Sequence, residues 1–265
     1  GFRRGKLTVA VVSTAEYFVP RLLGDFCAKY PEVEIALEVL NRNGVIQRLE
    51  HNLDDLYIMS KPPANLDVEA RAFMTNSLQV VAPAEHPLTQ RKRIKHTELA
   101  RYAFILRERG SGTRLACDSH FESLGFERTV RLELGSNEAI PQAVQGGMGL
   151  AVLSEHALNA GSATDGLQIL NVQSFPIHAN WYTVRPNGKR PSPVAADFWR
   201  YLNVDLKKGS ITVNSGSQEY DLNALYAAVS ESGKAIEIRR VYHGATPAIQ
   251  RFFDPYATTG YGTQN

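Results

Sequence analysis

Cysteine is scarce in this chain. There are two, Cys27 and Cys117, among 265 residues. They lie far apart, and neither belongs to a metal-binding or redox spacing. A disulfide framework and a cysteine-built zinc site are therefore not expected, and the usage fits a reducing compartment, the cytoplasm. Long apolar runs are also missing. No stretch approaches the ~18 residues that a membrane-spanning helix requires. The opening GFRRGKLTVAVVS is basic, but its apolar part runs only from Leu7 to Val12, too short for a secretory signal. Nor does one sign of charge dominate. Lys and Arg number 29 against 27 Asp and Glu, for a formal net charge of +2. Scattered bases matched by acids leave no nucleic-acid footprint, and the cluster Arg91, Lys92, Arg93 and Lys95 reads as a solvated loop. The 7 histidines show neither H-x-x-x-H nor H-E-x-x-H spacing. Cys117 and His120 make no metal motif, and no G-x-S-x-G elbow is present. No metal site, catalytic residue or cofactor is expected, so the chain does not read as an enzyme.

What is present is an alternation of strands and helices. The β-branched run Lys6 to Val12 has the character of a buried parallel strand. It runs into STAEYFVPRLL, where Ser13 and Glu16 match a capping box. Pro20 conflicts with a helix beginning at Ser13, unless the regular helix starts near it. Strands are expected at 33–40, 55–59, 77–83, 103–108 and 130–135, and again within 167–172 and 180–186. Helices are expected between them, with Thr97, Ser136 and Ser192 as N-caps and Pro193 at a first helical position. This is an α/β pattern. The last sixty residues differ. They suggest a strand at 211–213, a helix at 221–230, a strand at 235–242 and an aromatic end too apolar for a disordered linker.

The stretch RERGSGTR concentrates anion-binding chemistry. Gly110 and Gly112 allow close backbone approach. A helix starting near Thr113 offers free N–H groups. Ser111 and Thr113 add hydroxyls, and Arg107, Arg109 and Arg114 add guanidinium forks. A tight strand-to-helix turn with surface arginines explains the same residues. It is not a P-loop, because no Lys-Ser/Thr follows. Two further helix starts, at Ser13–Thr14 and Ser136–Asn137–Glu138, also follow strands, where open α/β sheets bind ligands. Simple capping is the alternative for each. Asp54-Asp55 reads as a turn feature, and Trp181 and Trp199 as core aromatics.

Several segments together resemble the effector-binding (regulatory) domain of LysR-type transcriptional regulators, and within them the carbon-fixation branch (CbbR, RbcR and CmpR). They are STAEYFVPRLLGDFCAKYPEVEIALEV, NRNGVIQRLEHNLDDLYIMSKPP, FILRERGSGTR and LELGSNEAIPQAVQGGMGLAVLSEHAL. The match runs over about residues 5–203. It implies two Rossmann-like lobes joined by two crossing strands, a fold like that of periplasmic binding proteins. Residues 1–76 and 177–205 would form one lobe and 77–176 the other. Residues 206–265 would be a separate extension, a fusion or an interaction module. The resemblance further implies a homodimer of regulatory domains, a tetramer of the whole regulator, and DNA contact only through a winged helix-turn-helix N-terminal to this domain. The effector would be a phosphorylated metabolite such as ribulose 1,5-bisphosphate or 2-phosphoglycolate, or NADPH. Carried over by position, the cleft would be lined by Ser13, Thr14, Asn43, Arg109, Ser111, Gly112, Thr113, Ser136 and Asn137, with Glu138, Gln145 and Gly147 behind them. Pro141 lies too deep for a helix capped by Ser136. A solute-binding protein of a transport system would share the two-lobe architecture and is the alternative reading.

Overall fold

A computed structural model describes residues 4–160 and 164–205, and the backbone of 212–215 and 218–221. The chain divides after Trp199 into two units.

In the first unit, β1 (Arg4–Val12) lies between β2 (Glu32–Leu40) and β3 (Leu56–Met59), all parallel. Its Val9 to Val12 are buried, as its uninterrupted apolar run requires. The second parallel group holds β7 (Leu150–Ser154), β5 (Ala103–Arg107) and β6 (Thr129–Leu134), in that order. Two long antiparallel strands, β4 (Val68–Pro83) and β9 (Ile177–Pro186), join the groups: β9 pairs with β3, and β4 with β7 and the short β8 (Leu167–Ile169). These are the two crossing strands of the expected two-lobe α/β fold. β4 begins nine residues before the strand expected at 77–83. Its early part carries charges that are paired across to β9, as between Glu69 and Arg185 at 2.8 Å.

Alternation along β5 shows how its group is covered on both faces. Phe104 and Leu106 pack with Cys117 and Phe121 of α3 (Gly112–Ser123). Ile105 packs on the opposite face with Ile140 and Val144 of α4 (Ala139–Gln145). Each fully buried side chain of this kind contributes about 1.5–3 kcal/mol of apolar burial.

The helix starts correct three expectations. Ser13 caps nothing: Ser13–Tyr17 is a 3-10 turn preceded by Val12, with no side-chain cap, and α1 (Val19–Lys29) begins later with Pro20 in its first turn. The same shift resolves Pro141. The regular part of α4 starts only at Ala139, so the proline is the third helical residue, where no intrahelical N–H is needed; Ser136 Oγ still accepts the Glu138 and Ala139 N–H groups, at 3.2 and 3.3 Å. Thr97 is not a cap either. Lys95 precedes the turn at His96–Arg101, and its N–H donates to Glu98 at 2.9 Å. Two helices remain in this unit's numbering. They are α2 (Arg42–Glu50), capped by Asn41, and the single turn α5 (Glu155–Leu158), capped by Ser154. The helix α6 (Pro193–Arg200) starts as expected, with Ser192 accepting from the Ala195 N–H at 3.1 Å.

Beyond residue 205, β10 (Thr212–Ser215) and β11 (Gln218–Asp221) pair antiparallel. The first overlaps the strand expected at 211–213, and Asp221 ends the second rather than opening a helix. The rest of that expected helix and the strand at 235–242 lie outside the described residues.

Candidate functional site

The carboxyl ends of β1, β5 and β6 face one another, and Arg107 joins them. This last residue of β5 is 3% exposed. Its Nη1 donates to Asn137 Oδ1 at 2.5 Å, after β6, and its Nη2 to Ser13 Oγ at 3.2 Å, after β1. Glu108 closes the circle, accepting from Nη2 at 2.6 Å and Nε at 3.2 Å. A buried guanidinium needs such a full set of partners, because an unpaired one would bear the whole cost of desolvation.

Three more hydrogen bonds cross the same seam. Asn137 Nδ2 donates to Thr14 Oγ1 at 3.2 Å. The Tyr17 hydroxyl donates to Glu138 Oε1 at 3.1 Å. The Asn43 N–H donates to the Gly110 carbonyl at 3.1 Å. The seam is therefore polar, and its partners come from both sides.

Carboxylates crowd beside it. Burial, then the hydrogen bond and like charge of Glu138, push the Glu16 carboxyl up to about 7, against the pull of Arg107. Burial acts on Glu138 in the same sense. Hydrogen bonds from Ser136, its own N–H, Glu16 and Tyr17 outweigh it and hold Glu138 below the usual carboxylate range. The pair thus keeps a proton on Glu16 while Glu138 is charged. The Tyr17 phenol is pushed up by burial and by Glu138.

The turn after β5 is a built feature. Ser111 is buried and caps α3, accepting from the Arg114 N–H at 3.2 Å. Arg114 donates from Nη1 to the Arg107 carbonyl at 2.9 Å and to Glu133 at 2.9 Å, and from Nε to Asp118 at 3.0 Å, so it is tied into the fold. Gly110 has φ +99°, and a Cβ there would stand 2.6 Å from Asn43 Nδ2. A Cβ on Gly112 would meet Ser60 Oγ at 2.5 Å.

Of the three arginines in the stretch, two are thus consumed by the fold. Arg109 differs. It is exposed, and among the described residues its guanidinium has no hydrogen-bond or ion-pair partner. It lines a pocket of about 160 Å³ with Arg42, Asn43, Gly110, Ser111 and Arg114. Arg42 is held there by Nη2 donating to the Lys61 carbonyl at 2.9 Å.

The structure brings together Ser13, Thr14 and Asn137 in the seam, and Asn43, Arg109 and Ser111 around the pocket. Gly112 and Thr113 open α3 beside them. Ser136 and Glu138 stand at the seam's edge, where Ser136 Oγ donates to Glu138 Oε2 at 2.8 Å. Gln145 and Gly147 are not brought in. They lie at the opposite end of α4, where the Gln145 side chain donates to the Asp165 carbonyl. Sequence reasoning missed the acids Glu16 and Glu108, together with Tyr17, Arg42 and Ser60. Glu16 was hidden by its match to a capping box that does not form. Asp54 and Asp55 are structural, as expected. Asp54 takes a two-point contact from Arg48 at 2.8 and 3.0 Å, and Asp55 accepts the Thr8 N–H at 2.9 Å. Among the described residues no cluster of His, Cys, Asp and Glu is arranged to hold a metal, and no helix is long and apolar enough to cross a membrane.

Known proteins agree with this architecture. The chain is 48% identical over 202 residues to a RuBisCO operon transcriptional regulator of Acidithiobacillus ferrooxidans, covering 76% of this chain and 65% of that protein. It is 43% identical over 202 residues to the transcriptional activator CmpR of Synechocystis, covering 76% and 66%. It therefore spans about two thirds of the length of these relatives. The solved regulatory domain of Synechocystis CcmR, in complex with 2-PG, matches with a TM-score of 0.72 and 47% identity, over 75% of this chain and 96% of that one. The effector-binding domain of QuiR, in complex with shikimate, shares the fold at a TM-score of 0.69 and 19% identity, over 76% of this chain and 96% of that one. The family model for the LysR substrate binding domain matches residues 1–206, and the chain belongs to that family.

Proposed function

We propose that this chain is the effector-sensing domain of a LysR-type regulator of carbon-fixation genes, and that its effector is a small phosphorylated acid with 2-phosphoglycolate as the leading choice. The observation that carries the reading is the turn after β5. There a buried arginine ties the two halves together, while Arg109, exposed and among the described residues without a hydrogen-bond or ion-pair partner although its charge acts on Glu133, stands at a pocket beside the seam. The choice of effector rests on the 47% identical CcmR domain, which is named in complex with 2-PG. Ser13, Thr14, Asn43, Arg109, Ser111, Gly112, Thr113, Ser136 and Asn137 are the proposed contacts.

The mechanism follows from the seam. Its four hydrogen-bonded contacts hold one arrangement of the two halves, which we divide within β4 near residue 76 and again where β9 begins. An effector shifts that arrangement only by binding one form better than the other. A bound phosphate competes for the same donors and so changes the balance. The response would pass through a dimer of regulatory domains, within a tetramer of the whole regulator, to a winged helix-turn-helix that contacts DNA in the cytoplasm.

Calorimetry tests this with 2-phosphoglycolate, ribulose 1,5-bisphosphate, NADPH and inorganic phosphate, on the chain and on Arg109→Ala. Micromolar binding of 2-phosphoglycolate is expected, weakened about tenfold in the variant, or about 1.4 kcal/mol. Preference for another of the four would replace the effector. No binding by any would remove the phosphate reading.

A further inference from the structure

The end of β5 away from the seam carries a second collection of bases, and nothing in the proposed effector reading uses it. A pocket of about 240 Å³ opens there, lined among others by His86, Arg101, Tyr102, Arg131, Gly147 and Gly149. It contains two arginines and no acid. The contrast with the other pockets is direct: acids line the ones beside α3 and at the β3–β9 end. Arg101 and Arg131 are both exposed, and among the described residues neither has a hydrogen-bond or ion-pair partner.

Three features show that the pocket is shaped by the fold. First, β6 contains a bulge. Val130 is opposite Phe104 and Leu132 is opposite Ile105, leaving Arg131 as the extra residue. Bulges re-aim a side chain and recur beside functional sites. Second, the Gly146–Gly149 turn lies directly on the start of β5. Gly147 has φ +77° and Gly149 φ +153°, and a Cβ on Gly149 would stand 2.4 Å from the Ala103 carbonyl oxygen. Third, His86 is set by its surroundings. Its Nδ1 accepts the Leu88 N–H at 3.1 Å, so in the neutral ring Nε2 carries the proton and can donate. Its ring meets Tyr102 edge-on at 4.7 Å, and burial lowers its pKa, which favours the neutral ring.

The geometry points to a second anion site here, for a small phosphate-bearing molecule, with Arg101 and Arg131 as the charged contacts and His86 and Tyr102 as neutral ones. β5 is five residues long, so this site lies on the order of 15 Å from the seam. It is independent of the effector proposed above and stands or falls separately from it. Both charges are arginines, which stay charged throughout the working pH range, so binding is weakened by salt.

The test is an NMR titration of the isotope-labelled full chain, first with inorganic phosphate and then with 2-phosphoglycolate, following the amides of Gly147, Met148 and Gly149. Saturable shifts at millimolar ligand are expected. The double variant Arg101→Gln/Arg131→Gln should weaken them at least fivefold. Arg93→Gln removes an exposed arginine outside the pocket and should leave them unchanged, as should Arg109→Ala. Shifts that do not saturate would overturn the site. An equal loss in Arg93→Gln would reduce it to general charge. Loss in Arg109→Ala would show that the shifts are relayed from the seam.

Discussion

At its carboxyl end β5 presents Arg107, buried and bound to Glu108, Asn137 and Ser13. At its amino end the strand is flanked by Arg101 and Arg131, exposed and, among the described residues, unpaired. The same residue type thus does two jobs at two ends of one strand. A buried guanidinium stays charged, and without partners its desolvation would go unoffset, so those partners become structure. An exposed one keeps its hydration and needs no partner, so its charge remains available to a ligand. Arg109, two residues beyond Arg107, belongs by this criterion with the amino-end pair. Proximity to the seam is therefore a poor guide to which arginine is free, and burial is a better one.

The comparison can be broken or sharpened by measurement. The largest effect is expected at Gly149. Gly149→Ala forces a side chain into positive φ and against the Ala103 carbonyl, and should cost about 3–4 kcal/mol in urea unfolding. Arg107→Ala should come next, at about 2–4 kcal/mol, because Glu108, Asn137 and Ser13 lose a shared partner. Arg101→Gln, in the same assay, should stay within about 0.5 kcal/mol of the parent. Equal losses from Arg107→Ala and Arg101→Gln would erase the distinction between the two ends. Arg109→Ala should likewise leave stability unchanged while weakening the effector about tenfold.

A pH-dependent effect concerns the carboxylates. The folded chain holds a proton on Glu16 that the unfolded chain releases at lower pH, so this group's contribution to stability falls as pH rises from about 4.5 to about 7. Glu16→Gln mimics the protonated form. It should stabilise the chain relative to the parent at pH 8, and the gain should shrink towards pH 4.5. A pH-independent difference would mean that Glu16 is not the group that holds the proton.

Much of the fold was legible in the chain. The apolar runs at β1 and β5 fall where expected, because burial on both faces leaves an unbroken apolar run, and α6 starts at its proline as expected. The early part of β4 was not legible. Glu69 and its near neighbour Arg71, with which it pairs, look like loop residues until Arg185, from a strand more than a hundred residues away, is supplied as a second partner of Glu69. The three serines at helix starts make the same point. Ser111 caps its helix, Ser136 accepts the Glu138 and Ala139 N–H groups while donating to the Glu138 carboxylate, and Ser13 receives Arg107, although each matches a capping signal.

By itself the sequence determined the alternation of strands and helices, the glycine-rich turn after β5, and the family to which the residues conform. These depend on periodicity, on local backbone preference and on motif, all of which are properties of neighbours in the chain. Only the tertiary structure decided which arginine is buried, which carboxylate keeps a proton, and that the candidate Gly147 faces a different pocket from the seam. Desolvation and pairing depend on groups brought together from distant segments, and no local pattern encodes them.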